Sequence, residues 1–188
     1  MLKIIKSPNI ESQLIKLALK KNRRAQHQLY EKYAPKMLSV CRYYIRDEYQ
    51  AEEIMLNGFF KVFTKLSTFK NEGSFEGWIK RIMIRDSISF LRKKSKLVYV
   101  DDMNYFEEAS EEPVETQIAI ENIQNYINNL PESSKVIFNL YVIEGYKHAE
   151  IAELLNISVS TSKTQLFRAR TALKKMLKMN QIEYHGTQ

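Results

Sequence analysis

Apolar residues recur at spacings of three and four along almost the whole chain, period-two alternation is scarce, and the few glycines and prolines fall at punctuation points. That pattern predicts helices throughout and no sheet. The expected helices run Ile10 to Leu19, Asn22 to Ile45, Glu48 to Leu66, Phe75 to Lys93, Glu115 to Asn129, Glu132 to Glu144, His148 to Leu155 and Thr161 to Met179. Asp47 and Ser74 precede two of these as N-cap residues, and Pro131 occupies a first-turn position where a missing N–H costs nothing. Pro35 is expected to kink or split the long second helix. The fold class is all-α, with no fixed-period repeat.

The segment from Gly145 to Arg170 reads as two short helices joined by a tight turn, a helix-turn-helix. Ile151, Leu154 and Leu155 form an apolar stripe on the first, and Ala152 is small enough for a second helix to cross closely. Asn156 tolerates the left-handed backbone that the turn needs, and Ser158 or Ser160 caps the next helix. There Leu166, Ala169 and Leu173 fall inward, while Lys163, Phe167 and Arg170 share an outer face at i, i+4 and i+7. Such a face suits a DNA major groove. An αα-hairpin with solvated basic residues is the bland alternative.

Charge sharpens the picture. The 188 residues carry a net +7, a bias toward polyanions. From Met1 to Tyr99 there are 21 Lys/Arg against 9 Asp/Glu, from Val100 to Ile118 none against 7, and beyond that 8 against 6. The acidic block has few apolar residues to bury and reads as a linker. The expected division is a helical domain over 1–96, an acidic linker over 97–114 and a helix-turn-helix domain over 115–188.

A second constellation lies in the first half. Between Phe75 and Lys96, Ile79, Ile82, Met83 and Phe90 mark a buried stripe, and Lys80, Arg81, Arg85, Arg92, Lys93, Lys94 and Lys96 an exposed basic one. Basic residues beside aromatics suit single-stranded nucleic acid, offering charge for phosphates and flat faces for unstacked bases. Trp78 reads first as a core tryptophan. The loop Ser67–Ser74 is polar, flexible at Gly73 and bracketed by Phe69 and Phe75. With Phe69 and Asn71 it offers a place to read a flipped base.

The motifs Leu29-Tyr-Glu-Lys-Tyr33, Ala51-Glu-Glu-Ile54, Phe59-Phe-Lys-Val-Phe63, Gly77-Trp-Ile79 and Leu91-Arg-Lys93 resemble the second conserved region of bacterial sigma factors of the extracytoplasmic-function group. Leu130-Pro-Glu, Phe138-Asn-Leu140, Glu150-Ile-Ala-Glu153, Ile157-Ser158 and Arg168-Ala-Arg170 resemble the fourth. The stretch from Phe75 to Met83 is most similar to members from the Bacteroidetes lineage. The resemblance implies a factor that binds the RNA polymerase core through its beta-prime subunit, recognises promoter DNA, helps melt it, and answers to an anti-sigma factor. It maps core binding onto Ala51 to Phe63, with Glu52, Glu53, Asn57 and Lys61 outward while Ile54, Phe59, Val62 and Phe63 hold the domain together. Minus-ten recognition and melting map onto the Ser67–Ser74 loop and the Trp78 to Lys94 helix, naming Phe69, Asn71, Lys80, Arg81, Arg85, Arg92 and Lys93. Minus-thirty-five reading maps onto Lys163, Thr164, Phe167, Arg168 and Arg170, with Ser160 or Thr161 touching phosphate. The family's usual Gln-Glu pair is Leu56-Asn57 here, its Asn and Asp of the melting helix are Arg85 and Ser89, and its Val in the reading helix is Ser162.

Rival readings are weaker. His27, His148 and His185 lie in separate segments, and no HExxH, CxxC or phosphate-cradling glycine loop appears, so no catalytic residues, metal or cofactor are expected. An operator-binding regulator with a sensor domain would need a ligand pocket or dimerisation helix rather than a long basic first half. No apolar run is long enough to cross a bilayer and no signal peptide is evident, so a cytoplasmic protein without membrane insertion is expected. Cys41, alone in the chain, reads as a core residue.

Overall fold

The computed structural model describes residues 8–94 and 120–185, and the chain divides into two compact units, residues 1–90 and 91–188. The first unit contains α1 (Pro8–Leu19), α2 (Arg23–Tyr44), α3 (Glu48–Thr64), a 3-10 turn at Leu66–Thr68, and α4 (Phe75–Lys93). The second contains α5 (Ile120–Asn128), α6 (Glu132–Phe138), a π-helical turn at Asn139–Ile143, α7 (His148–Leu155) and α8 (Val159–His185). No strand occurs among the described residues. The expected acidic linker lies outside them.

Local chemistry sets the starts of the helices. The Asn22 side chain accepts from Ala25 N–H at 3.0 Å, Asp47 from Gln50 N–H at 2.8 Å and Ser74 from Gly77 N–H at 3.0 Å, each satisfying one amide that has no partner inside its helix. In α2, Ala25, Leu29, Tyr33, Met37, Val40, Cys41 and Tyr44 make one buried stripe that runs unbroken past Pro35. The expected break is absent. Pro35 and Glu31, whose carbonyl loses its helical donor, both lie on the exposed side, where the carbonyl is open to solvent and the packed stripe holds the helix together.

α1 is pinned to α2 by Glu11, which accepts from Lys32 and from the Tyr33 hydroxyl. Its carboxyl is held below the usual range: burial pushes it up, but the bonds from Lys32 and Tyr33 outweigh that. α3 meets α4 where Gly58 faces Met83, with Lys61 Nζ bonded to Asp86 Oδ1 at 2.6 Å beside that contact. The buried face of α4 is Phe75, Ile79, Met83, Ile84, Ser87, Ile88 and Leu91. Ile82 and Phe90, expected inside, are only half-buried. Cys41 is fully buried, and burial pushes its thiol up to about 11, with the nearby Ser87 hydroxyl opposing the rise and the Asp86 charge adding to it. That keeps it protonated and unreactive.

In the second unit Val136, Ile137, Leu140, Ile151, Leu155, Leu166 and Ala169 form the core between α6, α7 and α8. The single helix expected from Glu132 to Glu144 changes character after Phe138. Glu144 N–H bonds to the Asn139 carbonyl at 3.0 Å, and Gly145 then takes φ 74°, a left-handed value that glycine adopts without strain.

Candidate nucleic-acid interface

The turn between α7 and α8 follows from Asn156, which sits at φ 56°, ψ 52°, the left-handed conformation expected of it. Ile157 N–H closes the turn on the Ala152 carbonyl at 3.0 Å. Ser158, one of the two caps expected, caps α8, its Oγ accepting from Thr161 N–H at 2.9 Å, so the helix starts at Val159, ahead of the expected Thr161 bound. Glu150 accepts from Lys147 N–H at 2.7 Å at the start of α7, half of the reciprocal cap that a glutamate at this position supplies.

On α8, Ser160, Lys163 and Arg170 are exposed, and Thr164, Phe167 and Arg168 are half-buried. These six lie along the outward side of the helix. Thr161 does not join them. It is 4% exposed and its hydroxyl lies 2.6 Å from that of Ser158, so its side chain serves the cap and is not available to a phosphate. Leu166 and Ala169 are buried as expected, while Leu173 is half-buried. Ser162 and Gln165, 0% and 2% exposed, are polar residues of the inner face that apolar periodicity cannot find. His148 Nδ1 lies 2.9 Å from Ser162 Oγ, and its ring stacks on Tyr141 with centroids 4.5 Å apart. Burial, then the charges of Lys163 and Arg170, depress its pKa below the ordinary 6.5.

In the first unit Arg81, Arg85, Arg92 and Lys93 are exposed on α4, and the three arginines fall at i, i+4 and i+11, one face of the helix. Lys80 is half-buried and engaged by other groups, off that face. Phe69, Phe75 and Trp78 form a triad with ring centroids 5.1, 5.5 and 5.8 Å apart. Trp78 is half-buried, so it is part of the packing and also part of a wall. With Thr68, Phe69, Gly73, Gly77 and Arg81 it lines an open cleft of about 240 Å³. The loop beside the cleft holds Asn71 at φ 58° and Gly73 at φ 101°, which turns the chain back on itself. Asn71 is exposed on this loop but does not line the cleft.

α3 carries a third surface. Glu52, Glu53 and Asn57 are exposed as expected, and Ile54, Phe59 and Val62 are buried. Lys61 is exposed as expected too, and bonded to Asp86. Among these polar positions stand Tyr49, Leu56 and Phe60, 78%, 49% and 71% exposed, which share one stripe with Glu53 at i, i+4, i+7 and i+11. The sequence signal for this stripe was a helix apolar on two faces, of which only one is needed for the core. Among the described residues no group of three or more His, Cys, Asp or Glu is placed to hold a metal ion, and no helix is long and apolar enough to cross a membrane.

Residues 29–97 match Sigma-70 region 2, and residues 120–173 match Sigma-70, region 4. The chain is 26% identical over 180 residues to the RNA polymerase sigma-H factor of Pseudomonas aeruginosa, covering 89% of this chain and 93% of that one. It is 27% identical over 159 residues to the ECF RNA polymerase sigma factor SigW of Bacillus subtilis, covering 78% and 85%. Among solved structures it is similar to RpoE in complex with the anti-sigma factor NepR from Bartonella quintana, with a TM-score of 0.52 at 19% identity over 81% of this chain and 96% of that one. CnrH in complex with the cytosolic domain of CnrY gives 0.50 at 18% over 90% and 97%.

Proposed function

Since this chain belongs to the sigma-70 family, as a sigma factor of the ECF group that binds RNA polymerase and directs promoter-specific initiation, we propose how its surfaces divide that work. α3 docks on the polymerase core, through its beta-prime subunit, with Glu52, Glu53 and Asn57 supplying polar contacts around the apolar stripe of Tyr49, Leu56 and Phe60. The observation that carries this is the stripe itself: large apolar side chains left in water on a helix already well packed on its other side are a docking surface.

α4 and the cleft engage the minus-ten element. Arg81, Arg85, Arg92 and Lys93 hold phosphates, and the Phe69–Trp78 wall stacks an unpaired base, with Asn71 on the loop beside it. Lys80 is a weaker member because it is half-buried and lies off the face of the three arginines. α8 reads the minus-thirty-five element in the duplex through Lys163, Thr164, Phe167, Arg168 and Arg170, with Ser160 at the phosphate end of the helix. The protein works in the cytoplasm, without catalytic turnover of its own, and is held in reserve by an anti-sigma factor, as the NepR complex of its structural relative supports. The units are assigned as residues 1–96 and 115–188 with 97–114 as linker.

Run-off transcription and gel filtration with core polymerase test the division. The wild-type chain comigrates with core and yields promoter-dependent transcripts. Leu56→Ser with Phe60→Ser loses at least tenfold in core affinity, about the loss of 1.4 kcal/mol of burial, while circular dichroism stays native. Unchanged comigration of the double variant removes α3 from the interface.

A further inference from the structure

The inner face of α8 carries the buried polar residues Ser162 and Gln165 beside the apolar Leu166 and Ala169. Gln165, 2% exposed, accepts a hydrogen bond from Ser134 Oγ, itself 3% exposed, at 2.7 Å. Ser162, fully buried, pairs with His148 Nδ1 at 2.9 Å, and Tyr141 stacks on the far side of that imidazole. The reading helix is therefore tied by one directional bond to α6 and by another to α7. Apolar contacts tolerate sliding and rotation, because burial has no direction. A hydrogen bond does not, since it weakens steeply as distance and angle depart from the optimum.

These anchors interleave with the outward residues. Ser162 precedes Lys163, and Gln165 follows Thr164 and precedes Phe167 and Arg168 by two and three positions. A rotation or axial shift of α8 moves every base-facing atom together. Contacts to base edges need placement within about 0.5 Å, whereas long phosphate-binding side chains absorb such a shift.

We infer that the Ser134–Gln165 and His148–Ser162 pairs are positioning elements that set the base preference of α8 without touching DNA. The inference rests on the reading of α8 as the duplex-reading helix. Ser134, Ser162, Gln165 and His148 thus act through Lys163, Thr164, Phe167 and Arg168, and they are specificity-determining rather than affinity-determining. A purely structural role for the same bonds would change stability, or weaken all sequences alike.

The test is promoter selection from duplex libraries randomised across the upstream element, using holoenzyme assembled from the full chain and core polymerase. Ser134→Ala and Gln165→Met are expected to lower discrimination by about fivefold at one or more positions, the loss of one hydrogen bond's net contribution. Binding to unselected duplex and its salt slope stay as in the wild type. Ser134→Thr, which keeps the hydroxyl, restores the wild-type profile. If Gln165→Met does not fold, the Ser134→Ala and Ser134→Thr pair decides alone. A wild-type selection profile for Ser134→Ala, or an equal loss on all sequences, overturns the inference. Lys163→Ala and Arg168→Ala run alongside: if they alter the profile while Ser134→Ala does not, only the inference fails. If they too leave it unchanged, the reading of α8 fails and takes the inference with it.

Discussion

A methyl group added at Gly58 would overlap Met83 Sδ and crowd Met83 Cε at 2.9 Å. Met83 is fully buried, so its thioether cannot swing into solvent, and the helices must part or the side chain must leave its rotamer. Overpacking of that kind costs about 1–3 kcal/mol. Gly58→Ala is accordingly expected to lower the unfolding free energy of the first unit by that amount, read as a lower urea midpoint at unchanged slope, and Gly58→Val by more. An unchanged midpoint would mean that α3 and α4 do not approach as closely as the contact requires. At this scale some features were legible in the sequence and others were not. Asp47, Ser74 and Asn156 were readable because a cap or a left-handed turn depends on a residue and its immediate neighbours. Gln165 was not, because it is polar and only its tertiary partner, Ser134, decides whether it faces in or out.

Along α4 the three arginines Arg81, Arg85 and Arg92 stand on one face while Phe75, Ile79, Met83 and Ile88 hold another. Removing two of those guanidinium groups should leave the core intact. In the double variant Arg81→Ala, Arg85→Ala, the salt slope of promoter binding is expected to fall by about 2, one for each phosphate contact. Permanganate reactivity of the minus-ten thymines should drop with it, and unaltered reactivity would separate these arginines from strand opening. The existence of this helix was plain from its periodicity, but its buried face was only partly so. Apolar residues surround α4 on nearly every side, and Ile82 and Phe90 are half-exposed while Ile84, Ser87, Ile88 and Leu91 join Ile79 and Met83 in the core. The π-helical turn after Phe138 left no mark in the pattern either, since a single wider turn shifts the apolar spacing by one residue.

Over the whole molecule the division into two helical units followed from charge and periodicity together: a basic first stretch, an acidic interval and a helix-turn-helix. The exposed apolar stripe on α3 was not legible for the opposite reason, since an apolar residue in a helical pattern is ordinarily credited to the core. One feature of the first unit reaches beyond binding to observation. The chain has a single tryptophan, Trp78, and it stands half-buried between Phe69 and Phe75 on the wall of the open cleft. All indole emission from the protein therefore originates at the surface assigned to the unpaired strand. Titration with a single-stranded minus-ten oligonucleotide should quench and shift that emission, whereas a duplex carrying only the upstream element should leave it unchanged, so strand capture can be followed in the unlabelled protein by its own ultraviolet fluorescence.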